Sequence, residues 1–264
     1  ETLEIAERSA VVKIDGKLDE AVWASLDQYD EFVVIEPDTL VKPAHATWVS
    51  LFYNQLGLYV GVQVEQPPET RIARLSSRDN RQIKRDSVGM VLDTSGEGRY
   101  GYWFGINLGD AQMDGTLLPE KQFTSDWDGA WEGATSETQT GWTAEMFIPW
   151  GVVSMPKQAG ARRIGLYMER FVAYKDERWS WPALPDTVPQ FISALQSVLV
   201  KDVQPKQQYS IFPSASVTQD HIDGKTNYRA GEKLILSMET IYEVLTSAEK
   251  IGLVTGLELE KDKG

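Results

Sequence analysis

The sequence predicts an all-β protein, an antiparallel immunoglobulin-like β-sandwich with one short N-terminal helix. Three observations lead there. Apolar and polar residues alternate with period two in one segment after another between residue 44 and about residue 203. The turns between these segments carry Gly, Pro, Asp and Ser, as in TSGEGR and SETQTG. Helical spacing within residues 1–203, by contrast, is confined to one stretch near the start.

That stretch is Asp19–Leu26 (DEAVWASL), whose acidic first turn and apolar Val22, Trp23 and Leu26 predict a helix of at most two turns. The first strand follows in AHATWVSLFYN. The Asn54-Gln55-Leu56-Gly57 turn returns it into a second, where Leu58, Val60, Val62 and Val64 alternate with Tyr59, Gly61 and Gln63. Val88, Met90 and Leu92 repeat the pattern, then Tyr100, Tyr102, Phe104 and Ile106, then Trp142, Ala144, Met146 and Ile148. Ile164, Leu166 and Met168 give another strand, and Val198 and Val200 the last. Residues 182–197, with Pro182, Pro185 and Pro189, read as a loop feeding a short element. The expected organisation is a sandwich over 1–203 and an extended segment over 204–233 with a turn at Asp223-Gly224. A partly helical tail over 234–264 lacks the aromatic alternation.

Composition narrows the chemistry. Lys and Arg number 26 against 39 Asp and Glu, a net charge of −13, and no basic run exceeds two residues, so nucleic acid and anionic membrane surfaces are poor partners. With no Cys, thiolate metal sites, thiol nucleophiles and disulfides are impossible. His45 and His221 are the only imidazoles and lie in polar, strand-like contexts. No apolar run is long enough for a membrane-spanning helix. The opening ETLEIAERSA has no charged-then-apolar leader, so a signal peptide is either absent or already removed.

Several motifs in order carry a resemblance. IDGKLDEAVWASL, RDSVGMVLD (Arg85–Asp93), YWFGIN (Tyr102–Asn107), GWTAEMFIPW (Gly141–Trp150), RRIGLYMERFV and RWSWP together resemble the family 9 carbohydrate-binding modules over roughly residues 8–203. GINLGDAQMDG and SDWDGAW look more closely like the family 9-like domains that precede an outer-membrane β-barrel domain in Gram-negative bacteria. That likeness implies an exported, periplasmic or cell-surface chain. It also implies a glycan ligand, a C-terminal barrel in the full-length protein with YSIFPSASV leading into it, and structural calcium. The family's sugar clamp of two Trp, a Glu and an Arg falls on Ile83, Pro189, Gly89 and Gly105 and is not kept. A noncatalytic glycan-binding module therefore needs a relocated aromatic surface. The alternative is a structural cap of the barrel with no sugar ligand.

Candidate ligand-binding residues are Trp127 and Trp131 in SDWDGAWEG, Trp179 and Trp181 on one strand face, and Arg85. Each aromatic pair also reads as packing on the sheet. Asp110, Asp114, Asp126 and Asp128 are hard oxygen donors near Gly turns and are the candidate calcium ligands. Asp126 and Asp128 as a glycosidase acid and base would need a cleft that raises one pKa, and an acidic loop offers none. Haem ligation by Met has no attachment motif, and Met90 and Met168 read as core. Glu145 and Arg170 interrupt apolar strands and are expected to form a buried inter-strand ion pair, with Arg85 or Glu169 as further members.

Overall fold

The computed structural model describes residues 2–80, 82–119, 122–156, 160–185, 187–201, 203, 215–222 and 225–232. The chain divides into two compact units, Glu1–Lys206 and Gln207–Gly264. In the first, the alternating segments become fourteen strands. They are β1 (Leu3–Glu4), β2 (Ala6–Glu7), β3 (Val33–Glu36), β4 (Thr47–Tyr53), β5 (Gly57–Glu65), β6 (Ser87–Asp93) and β7 (Gly101–Asn107). Then follow β8 (Gln112–Leu118), β9 (Gln122–Thr124), β10 (Glu132–Glu137), β11 (Gly141–Pro149), β12 (Arg162–Val172), β13 (Glu177–Trp181) and β14 (Gln196–Val200).

Five strands pair in the order β10-β11-β5-β4-β2, and nine build a larger sheet along β1-β14-β12-β6-β7-β8-β9. The eleven-residue β12 is long enough to take β14 on its first half and β13 on its second, with β3 beyond β13. All pairs are antiparallel except the short β1–β14 and β2–β4 ladders. The all-β sandwich-like architecture read from the period-two signal is thus present.

The inner faces of the two sheets meet through Val49, Val60, Val62, Met90, Phe104, Ile106, Trp142, Met146, Ile148 and Met168, all buried. Each is an alternate position of its strand, the arrangement that puts every second side chain on one face. Both outer faces are also partly covered. The N-terminal segment lays Val12 and Trp23 on Phe52 and Tyr59 of the small sheet. Phe191, Ile192 and Leu195 lie on Val91, Trp103 and Tyr167 of the large one.

Two expectations fail. Asp19–Leu26 is not a helix but contains a single 3-10 turn, Trp23–Ser25, with no side-chain cap and an extended Leu26 after it. Trp23 is buried and Leu18, Val22 and Leu26 pack partly buried beside it, but eight residues are too few to sustain a helix once Leu26 turns extended. Nor do Glu145 and Arg170 pair. Glu145 shares its strand face with Thr143 and Phe147, under the N-terminal segment, whereas Arg170 shares Met168's face and points between the sheets. Glu145 instead accepts from the backbone N–H of Asp15 and Gly16 (both 2.9 Å) and from Trp23 Nε1 (3.0 Å). Gly16 has φ +82° and its backbone lies against that of Thr135, a place where a Cβ would collide at 2.4 Å. Arg170 donates to Ala46 O, Thr47 Oγ1, Glu65 O and Gln66 Oε1 and lies 4.5 Å over the Trp179 ring. Arg85 joins neither, and Glu169 pairs with Arg178.

In the second unit β15 (Ala215–Ile222) and β16 (Lys225–Glu232) form an antiparallel two-stranded sheet. The turn expected at Asp223-Gly224, residues 204–214 and the tail from 233 lie outside the described residues. Among the described residues no helix is long and apolar enough to cross a membrane, which says nothing of a β-barrel.

Candidate functional site: a groove on the large sheet

A groove of about 290 Å³ opens on the face of the nine-stranded sheet turned away from the sandwich core. Its floor follows one row of the ladder: Glu169 on β12 opposes Gly89 on β6, Gly89 opposes Gly105 on β7, and Gly105 opposes Met113 on β8. The adjacent row runs Arg178, Phe171, Ser87. Two neighbouring glycines leave the middle of the floor bare, and larger side chains lean into that space. A Cβ on Gly89 would stand 3.1 Å from Glu169 Oε1, and one on Gly105 only 2.5 Å from the Trp103 ring.

The polar groups form a chain. Trp103 Nε1 donates to Glu169 Oε1 (2.9 Å), Arg178 Nη1 donates to Glu169 Oε2 (3.0 Å), and Arg178 Nε donates to Glu36 Oε2 (3.3 Å). The Glu169 charge, aided by Glu36, raises the Arg178 pKa above its ordinary value. The Arg178 guanidinium lies 5.6 Å over the Phe171 ring. Lys84 Nζ meets Asp176 Oδ1 at 2.6 Å. Trp103 (9% exposed) and half-buried Phe171 supply the apolar wall.

Of the residues singled out by sequence, Arg85 and Ile83 lie in this groove. The four Trp do not. Trp179 is fully buried under Arg170, with its Nε1 bonded to Glu177 (2.9 Å), and Trp181 (5% exposed) stacks on Tyr29 at 5.0 Å. Their shared strand face is the core face, and alternation alone does not say which face is inside. Trp131 (4% exposed) donates to Asp114 Oδ2 (2.7 Å) and meets Phe104 edge-on. Trp127 is half-buried against Tyr102 and Phe104. Pro189 lines a different cavity, of about 240 Å³, with Phe191 and Gly98.

The carboxylates regroup as well. Asp110 is spent on Thr135, accepting from its N–H (2.6 Å) and its hydroxyl (2.7 Å), and exposed Asp126 stands apart. Asp114 and Asp128 do come together, joined by Asp79, with one oxygen of each within 4.8 Å of the others. Arg78 sits among them, bonded to Asp114 Oδ2 and near Asp128 Oδ1 (3.4 Å) and Asp79 Oδ2 (3.6 Å). Burial pushes the Asp114 carboxyl above its usual range, against the hydrogen bond from Trp131 and the Arg78 charge. Its other oxygen, Oδ1, is buried with no hydrogen-bond partner.

Sequence reasoning missed Trp103, Glu169 and Arg178. The available signal was their phase: Trp103 and Gly105 occupy the positions between Tyr102, Phe104 and Ile106, hence the opposite face of the same strand.

No family model and no curated protein matches the chain. Among solved structures it is similar to a family 9 carbohydrate-binding module from Caldicellulosiruptor kristjanssonii in complex with cellotriose. That match has 15% identity and a TM-score of 0.52, covering 81% of this chain and 99% of that one. It is also similar to a candidate carbohydrate-binding protein from Bacteroides uniformis, with 13% identity and a TM-score of 0.56, covering 75% and 98%. At these identities the likeness is one of fold.

Proposed function

We propose that the sandwich is a noncatalytic carbohydrate-binding-type module whose ligand lies in the groove lined by Trp103, Phe171, Glu169 and Arg178. One observation carries this reading: Trp103 and Phe171 line the same groove as the hydrogen-bonded Glu169–Arg178 pair. A sugar ring needs an aromatic wall for its C–H face and convergent donors and acceptors for its hydroxyls. The fold likeness to carbohydrate-binding structures supports the same class.

The test is a calorimetric titration with neutral and acidic oligosaccharides, with Trp fluorescence followed in parallel. Saturable binding is expected, weakened at least about tenfold by Trp103→Ala and unchanged by Trp127→Phe. A second reading rests on the burial of Trp131, Trp179 and Trp181, which leaves no broad exposed Trp platform among them. In it the module is a structural cap of an outer-membrane barrel, and a silent titration would favour it. Either way the reading places the chain outside the cytoplasm, associated with the outer membrane and followed by that barrel, supported by the motif resemblance. Cell fractionation of the full-length protein checks this.

The Asp79–Asp114–Asp128 cluster is proposed as a calcium site. Three hard carboxylates against one guanidinium leave two negative charges, and Asp114 Oδ1 is buried without a hydrogen-bond partner. The ion would supply the missing partner for that oxygen.

A further inference from the structure

Arg85 is 3% exposed and is one of the residues that line the groove. It donates to Arg74 O (3.3 Å), Ser76 Oγ and Asn80 O (2.8 Å), all neutral acceptors, and among the described residues it meets no carboxylate. Burial alone pushes its pKa down, with no neighbouring negative charge to oppose the shift. The other two cations of the wall are already answered, Lys84 by Asp176 and Arg178 by Glu169 and Glu36. Among the described residues the groove thus holds a guanidinium without a counter-charge, in a chain whose net charge is −13. A buried cation without a partner is costly, and folded proteins pair such charges. Here no described residue supplies the pairing anion, and Arg85 lines the groove where a ligand would lie.

Resting on the sugar-binding reading above, we infer that the groove takes an acidic sugar, a uronic acid whose planar carboxylate pairs with Arg85 while its ring lies against Trp103. A carboxylate matches the guanidinium fork and gains a charge-assisted hydrogen bond where water is scarce. A neutral hexose would leave Arg85 as it is. The loop bonds of Arg85 then have a second use, since they fix the guanidinium before the ligand arrives.

The experiment compares cellotriose, C6-oxidised cellotriose, trigalacturonate and the methyl esters of the two acids by calorimetry on the whole chain, at low and high salt. An acid is expected to bind at least about tenfold more tightly than both cellotriose and its own methyl ester, with the advantage shrinking in salt. Arg85→Gln should remove the preference for the acid. That variant also loses loop hydrogen bonds, so the ester comparison on the unaltered protein decides the matter if it does not fold. Equal binding of acid and ester, or tighter binding of cellotriose, would overturn the acidic-sugar inference and leave the sugar-binding module standing. Silence from all five ligands would overturn both.

Discussion

Glu145 has no water to lean on: it is fully buried, and its oxygens are met by two backbone N–H groups and one indole N–H. Burial is the largest influence on it and lifts its pKa from 4.5 to about 7, with the Asp15 and Gly16 bonds pulling the other way. Because the folded-state value lies above the unfolded one, the native state holds the proton more tightly. Its contribution to stability is therefore full below about pH 4.5 and is lost as pH rises to about 7, by roughly 3 kcal/mol. Urea melts across that window should show the slope, and Glu145→Gln should flatten it while lowering stability, because one acceptor oxygen becomes an amide facing N–H donors. Arg170 shows the opposite solution. Burial pushes its pKa down to about 9, so it stays charged at neutral pH. Its bonds from β12 to Ala46, Thr47 and Glu65 tie the two sheets together at one end. That both side chains are buried was legible from their positions in apolar strands. Their partners were not, since those lie more than a hundred residues away, under the N-terminal segment for Glu145 and between the sheets for Arg170.

Strands were legible in proportion to how apolar their inward face is. β5, β6, β7, β11 and β12 bury aliphatic and aromatic side chains at every second position and announce themselves. β8 turns Asp114 and Thr116 inward, and β10 (EGATSE) has no large apolar residue, so neither carries the signal although both pair fully. The N-terminal segment is the clearest tertiary override, a short helical pattern reduced to a 3-10 turn that lays Trp23 on the small sheet. Trp23 packs at 5.3 Å on Phe52, sits above Gly61 and bonds to Glu145. Trp23→Ala is expected to cost about 3–5 kcal/mol, since it opens a cavity under the cover and strips one donor from a buried carboxylate. A chemical denaturation midpoint measures it, and a loss under about 1 kcal/mol would mean that the cover adds little.

Across the whole first unit, the Asp79–Asp114–Asp128 cluster joins three segments distant in sequence: the loop before β6, strand β8 and the loop before β10. An ion held there would bind the folded chain and not the unfolded one, so calcium should raise the melting temperature of the whole unit and EDTA should lower it. Asp114→Asn should erase that response, and an unchanged melting temperature in both solutions would refute the site. The groove follows from the same long-range assembly, for Glu169, Gly89, Gly105 and Met113 adjoin only because β12, β6, β7 and β8 pair in one register. The linear chain settled the all-β fold class and the phase of most strands, because burial of one face imposes a local period that survives in sequence. Which face is inside was settled by packing, and so were the withdrawal of Trp131, Trp179 and Trp181 into the core and the arrival of Trp103, Glu169, Arg178 and Arg85 at one groove. A period of two fixes alternation but not direction, and no local pattern encodes which distant residues a register sets side by side.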